Sequence, residues 1–176
     1  MFLIKENNLR YIKFSLLLII VIFLLCSNLK GGENRAVLTI GSQNAKVTVK
    51  VFSSLTCPHC ANFHTKIFQK LKKDFIDAGK VKYQHHGFPL DLAALNAEKV
   101  LGCVESNEAK LKLLNELYKN QGSWASGSDI NNINEKIFKI SNNYGLNNDK
   151  NRSCLNDQNL EDEILNERIN ASKKYS

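Results

Sequence analysis

The chain has 176 residues, 43% of them hydrophobic, and a formal net charge of +7. That length fits one domain plus a targeting segment. The lysines alternate with acids along helical patterns and form no aromatic-interleaved basic stripe, so the charge reads as a solvated basic surface and nucleic acid is excluded as a partner.

Lys5, Arg10 and Lys13 precede an apolar run from Phe14 to Cys26. As a helix this run would span about 20 Å, short of the roughly 30 Å hydrocarbon core. Residues 1–30 therefore read as a signal peptide or an N-terminal membrane anchor, and the rest of the chain as exported. Leu25-Cys26-Ser27-Asn28 offers no clean small-x-small cleavage site, which keeps the uncleaved anchor open. Cys26 as a lipidation site has bulky Leu24-Leu25 against it. Residues 31–45 read as a linker and a short strand or docking segment, Val37 to Ile40, closed by a turn from Gly41 to Asn44.

Lys46 to Phe52 alternates at first and then becomes continuously apolar, the pattern of a strand buried on both faces. Cys57-Pro58-His59-Cys60 follows, and then a helical pattern from Ala61 to Ala78. Phe63, Ile67, Phe68, Leu71 and Phe75 form its apolar stripe, with Gly79 as its stop. Val81 to His86 reads as a second strand, parallel to the first through a right-handed crossover.

Strand, Cys-X-X-Cys, helix is a layout that makes a thiol reactive. Cys57 falls at the helix N-terminus, where unpaired backbone N–H groups and the positive dipole end favour its thiolate. Pro58 suits the first helical turn. His59 stabilises the anion further if protonated or if its ring N–H points at the sulfur. A dithiol whose reduced form is stabilised in this way is an oxidant. His64, one turn on, reads as a surface or half-buried histidine or as a tuner of the thiols. His85 and His86 raise a metal site with the cysteines, but the sequence has no second Cys-X-X-Cys and no His-X-X-X-His. Neither metal nor cofactor is expected.

From Leu92 onward the pattern is helical. Ala93, Ala94, Ala97, Val100, Leu101 and Val104 form one stripe, with Cys103 within it. A second helix starts near Ser106 and Glu108 and carries Leu111, Leu114, Leu117 and Tyr118. Residues 120–128 read as a loop around Trp124. Ser128 and Asp129 cap a helix with Ile133, Ile137, Ile140 and Tyr144, stopped by Gly145. Asn159 caps a last helix with Leu160, Ile164, Leu165 and Ile169. The Asn doublets at 131–132, 142–143 and 147–148 read as compositional bias.

Phe52-Ser53, Cys57-Pro58-His59-Cys60 and Asn62-Phe63-His64, with Gly87-Phe88-Pro89-Leu90-Asp91 after the second strand, resemble the active-site region of the bacterial DsbA-type disulfide oxidoreductases of the thioredoxin superfamily. The resemblance runs from about Val37 to Ala171. It implies an α/β, thioredoxin-like fold, with a βαβ core at 46–88 and an inserted all-helical segment at 89–176. It also implies an exported, periplasmic enzyme, possible to anchor at the inner membrane and touching membrane only through its N-terminal segment. Such an enzyme introduces disulfides into reduced, unfolded secreted proteins and is reoxidised by a membrane quinone-linked, DsbB-like thiol oxidase. Cys57 would form the mixed disulfide and Cys60 resolve it, with Pro58 and His59 shaping the site. Cys103 and Cys154 fall in helices that such proteins pack together, which implies a structural disulfide; two separate buried thiols are the other reading.

Two departures stand out. DsbA-like proteins often carry an acid about six residues before the first cysteine, as a proton relay to the second. Here Val51 stands there, so Cys60 must exchange its proton through water or another group. The superfamily also has two more strands, a closing helix and a cis-proline facing the disulfide. The only prolines are Pro58, within the motif, and Pro89, too early for that role. The expectation is therefore a C-terminally truncated chain in which one edge of the Phe52 strand is bare. An isomerase or reductase using the same cysteines, and a truncated, redox-inert thioredoxin-like module, remain the alternatives.

Overall fold

The computed structural model describes residues 37–175. The expected leader at 1–30 and the linker up to residue 36 lie outside the described residues. Among the described residues, no helix is long and apolar enough to cross a membrane.

Among the described residues, three strands form a mixed sheet in the order β1-β3-β2: β1 at Val37–Ile40, β2 at Val47–Ser53 and β3 at Val81–Gly87. The central strand β3 runs antiparallel to β1, with Leu38 opposite His85, and parallel to β2, with Val51 opposite the same His85. Parallel neighbours need a crossover. Helix α1, residues 58–76, supplies it. The other helices of the described residues are α2 at Leu92–Gly102, α3 at Asn107–Lys119, α4 at Gln121–Trp124, α5 at Ile130–Ser141, α6 at Asn148–Leu155 and α7 at Gln158–Tyr175.

The strand before the cysteines is not buried on both faces. Val47 is 53% exposed, Thr48 and Lys50 are exposed as well, and only Ser53 is buried. The physical reason is its place at the edge of the sheet, with β3 as its only strand partner among the described residues. The buried strand is β3 instead, whose sequence is less apolar but whose Val81, Tyr83 and His85 are all buried.

Helix α1 also departs from the apolar stripe read off its sequence. Ile67 and Phe75 are exposed, whereas His64, Phe68 and Ile76 are buried. Two wide, i→i+5 turns, Phe63–Ile67 and Lys72–Ile76, interrupt the regular helix. Each adds part of a residue per turn and rotates the inward face away from a 3.6-residue register. His64 is therefore a core residue, not a surface one.

The helical block follows its caps. Asp91 Oδ1 accepts from Ala94 N at 2.8 Å, Ser106 Oγ from Ala109 N at 3.1 Å, Asp129 Oδ1 from Asn131 N at 2.9 Å and Asn147 Oδ1 from Lys150 N at 2.8 Å. Each such cap contributes about 1 kcal/mol. The last helix is capped by Asp157, which accepts from Leu160 N at 3.0 Å, rather than by Asn159. Gly79 and Gly145 both take positive φ, 70° and 88°, as chain-reversing stops do. The expected loop at 120–128 holds a short helix with Trp124 fully buried, its indole N–H donating to Leu117 O at 2.7 Å. Leu113, Leu114, Leu117, Ile137 and Phe138 complete the main core around it. Each buried side chain of this size contributes about 1.5–3 kcal/mol. Cys103, at the end of α2, is joined to Cys154 of α6 by a disulfide with a Cα–Cα distance of 6.1 Å.

Candidate active site

Cys57 caps the start of α1 in an extended conformation, φ −79° and ψ 119°, and Pro58 follows as the first helical residue. The loop before it is held on both sides. Thr56 Oγ1 donates to Asp91 Oδ2 at 2.7 Å, tying the loop to the start of α2. Gln121 Nε2 donates to Leu55 O at 2.8 Å and to Cys57 O at 3.0 Å, tying it to α4. The helical block thus fixes the cysteine's backbone, although neither Gln121 nor Asp91 stands near it in sequence.

Cys57 and Cys60 are free thiols, both half-buried, with Cys60 the deeper. Burial alone would push the Cys57 thiol up. The N–H of Cys60, the Cys60 side chain and the N–H of His59 all donate to its sulfur, outweigh burial and hold it below the ordinary thiol value. These are the unpaired donors of the first helical turn. Cys60 moves the opposite way. Burial raises it, and the hydrogen bond and negative charge of Cys57 raise it further, against the N–H of Ser54. One thiol is favoured as an anion and its neighbour as a neutral acid, the asymmetry that ordered exchange chemistry needs. His59 reaches this balance through its backbone; its side chain is exposed.

Beneath the cysteines lies a buried polar chain that no local spacing announced. Tyr118 OH donates to Ser53 Oγ at 3.0 Å, and Ser53 Oγ lies 3.3 Å from His85 Nδ1. His85 Nε2 lies 3.1 Å from Glu98 Oε1. His85 is 0% and Glu98 2% exposed, so the pair depends on its internal partners. Gly87 leaves room for it: a Cβ there would stand 2.9 Å from the Glu98 carboxyl carbon. His64 stacks on Phe68 with ring centroids 4.5 Å apart and pairs with Asn115 Oδ1 at 2.7 Å. Burial lowers its pKa to about 4, so its ring is neutral and donates to Asn115. His86 turns to the other face, where its Nδ1 lies 3.1 Å from Glu167 of α7. Among the described residues, no cluster of His, Cys, Asp or Glu is placed to hold a metal ion.

A family model described as thioredoxin matches residues 33–176. A solved structure, alpha-DsbA1 of Wolbachia pipientis, superposes with a TM-score of 0.71 at 30% identity, covering 78% of this chain and 68% of that one. The chain belongs to the DsbA-like branch of the thioredoxin family. Its fold is thioredoxin-like α/β with a helical insertion, and BdbD of Bacillus subtilis shares it, with a TM-score of 0.69 at 19% identity over 80% of this chain and 77% of that one. By sequence, a Rickettsia bellii protein named provisionally as a protein-disulfide oxidoreductase is 27% identical over 128 residues, 73% of this chain and 48% of its own length. Disulfide bond formation protein D of Bacillus subtilis is 44% identical over 66 residues, 35% of this chain and 30% of its own length. The DsbA-like chain thus spans about half the length of the Rickettsia relative it matches.

In this DsbA-like fold, Cys57, Pro58, His59 and Cys60 come together at one helix end, as their spacing dictates. Cys103 and Cys154 lie in the helical block, joined to each other and apart from that dithiol. The residues near the dithiol that sequence reasoning missed are Gln121, Tyr118 and Glu98, none of which carried a local signal; Ser53 stood within the quoted motif region, but its partners did not show in the sequence.

Proposed function

We propose that this chain is an exported dithiol–disulfide oxidoreductase of the cell envelope that passes disulfides to reduced secreted proteins. The observation that carries this reading is the opposed environment of the two thiols, with Cys57 held toward the thiolate and Cys60 toward the neutral form. In the oxidised enzyme, a client thiolate attacks the Cys57 sulfur. The Cys57–Cys60 bond breaks, Cys60 leaves as a thiolate and takes up a proton. A second client thiolate then attacks the client sulfur of the mixed disulfide, and Cys57 leaves as a thiolate. The client loses two electrons and the enzyme gains them as a dithiol. Stabilising the Cys57 thiolate favours this direction, because each 1.4 kcal/mol given to the reduced form raises the two-electron potential by about 30 mV. Reoxidation requires an external oxidant, for which a membrane quinone-linked thiol oxidase is the fitting class.

The test is refolding of a reduced, disulfide-containing client with the oxidised protein. The expected result is stoichiometric transfer of one disulfide per enzyme, abolished by Cys57→Ser. Reduced Cys60→Ser, mixed with the oxidised client, should instead be trapped as a mixed disulfide: the Cys57 thiolate attacks a client disulfide, one client sulfur leaves as a thiolate, and no Cys60 thiol follows to release the enzyme. Client reactivation at the uncatalysed rate would contradict the proposal.

A further inference from the structure

Cys57 reacts through a geometry that its own backbone does not fix. Its sulfur gains donors only while it sits over the first turn of α1, where the N–H groups of His59 and Cys60 reach it. That seat depends on the Cys57 ψ of 119°, because rotation about this bond carries the turn past the side chain. The peptide to be held is the one joining Cys57 to Pro58. Proline brings no N–H to it, so the Cys57 carbonyl is its only polar handle. Ala61 N donates to that carbonyl at 3.1 Å from within the helix. A single bond in a terminal turn is where helices fray.

The second bond comes from 64 residues further along the chain. Gln121 Nε2 donates to Cys57 O at 3.0 Å and to Leu55 O at 2.8 Å. An amide NH2 carries two hydrogens, one for each carbonyl. One nitrogen therefore grips both ends of the segment from residue 55 to residue 57, and between them Cys57 N donates to Ser54 O at 3.2 Å. The bond from Thr56 Oγ1 to Asp91 holds a side chain of this loop and neither of those peptides. Gln121 is itself held. It opens α4, whose Trp124 is 1% exposed and donates its indole N–H to Leu117 O at 2.7 Å. Asn120, beside it, donates from Nδ2 to Glu116 O at 3.0 Å.

We propose that Gln121 is a positioning residue for the exchange reaction, its amide locking the Cys57–Pro58 peptide so that the Cys57 sulfur stays seated on the N–H groups of the first turn. This rests on the exchange chemistry assigned above to Cys57 and Cys60. Gln121 acts on the sulfur through the backbone alone. The helical block thereby sets how oxidising the dithiol is, from a residue outside the Cys-X-X-Cys motif. Loosening the peptide weakens the hold of the donors on the thiolate, which disfavours the reduced dithiol relative to the disulfide. Cys57 then ionises at higher pH, and the disulfide is a weaker oxidant.

The test is Gln121→Met, which keeps the length and bulk of the side chain and removes both hydrogens. Two quantities are read on the folded protein: the thiolate absorbance of Cys57 against pH, and the equilibrium of the dithiol with reduced and oxidised glutathione. A hydrogen bond to a charged group is strong enough that losing one changes an equilibrium by about tenfold. The expected result is a Cys57 titration moved to higher pH. In a given glutathione mixture, the ratio of reduced to oxidised protein should fall about tenfold, a drop of about 30 mV in potential. Gln121→Asn, whose amide is one methylene shorter, should lie between the two proteins and serves if Gln121→Met does not fold. A lower urea midpoint with both readouts at their wild-type values would mark a merely structural role and overturn the proposal, as would a shift in the opposite direction. A wild-type dithiol that does not exchange with glutathione at all would overturn the exchange chemistry itself, and the positioning role with it.

Discussion

At the residue scale, a few backbone donors decide which thiol reacts. The N–H groups of His59 and Cys60 are the unpaired donors of the first turn of α1, and both act on the sulfur of Cys57. Other buried side chains of the site are set by exclusion of water. His64 has its pKa lowered to about 4 by burial, against 6.5 for a free histidine. Between those two values the unfolded chain binds a proton that the folded chain refuses. This contribution to stability is complete above about pH 6.5, is lost as the pH falls toward 4 and changes no further below that. The loss amounts to about 3 kcal/mol. Urea denaturation at a series of pH values should therefore show a flatter pH dependence in His64→Gln than in the wild-type protein over this window. Parallel curves would contradict a buried, neutral His64.

At the element scale, the structure shows which parts of the sequence spoke plainly. The strand, the Cys-Pro-His-Cys turn and the following helix were legible because each has a local cause: an apolar run, a proline at the first helical position and the donors behind it. The caps Ser106 and Asp129 and the stops Gly79 and Gly145 were legible for the same reason. Helix α6 was not, because it turns only Asn151 and Cys154 inward, too few to make a stripe. The Asn residues around it are functional parts of the packing: Asn147 caps it, and buried Asn151 accepts from Ser141 Oγ at 2.9 Å. The burial of His64 was hidden by the wide turns of α1. The disulfide between α2 and α6 closes a sequence separation of 51 residues. Loop-closure entropy for a loop of that length is worth about 4 kcal/mol in the chain-entropy model. Replacing both Cys103 and Cys154 by serine should lower the free energy of unfolding by up to that amount, while disulfide transfer at Cys57 persists. An unchanged denaturation midpoint would contradict the assignment.

At the scale of the whole molecule, the buried polar chain is an assembly of distant parts. Ser53 is on β2, His85 on β3, Glu98 on α2 and Tyr118 on α3. No spacing rule links four residues on four elements, so only the fold could bring them together. The helical block has a second role there, because Gln121 and Asp91 hold the loop in which Cys57 sits. The partial exposure of β2 was not legible, since an apolar run reads alike for a central strand and for one at an edge. The account depends above all on Cys57 ionising below the ordinary thiol range, and its thiolate absorbance tests this most directly. Reduced wild-type protein and Cys57→Ser should be titrated side by side in the ultraviolet. The account predicts one thiol that ionises clearly below the ordinary thiol range and disappears in the variant. Superimposable curves, or a Cys57 that ionises at or above the ordinary value, would contradict it.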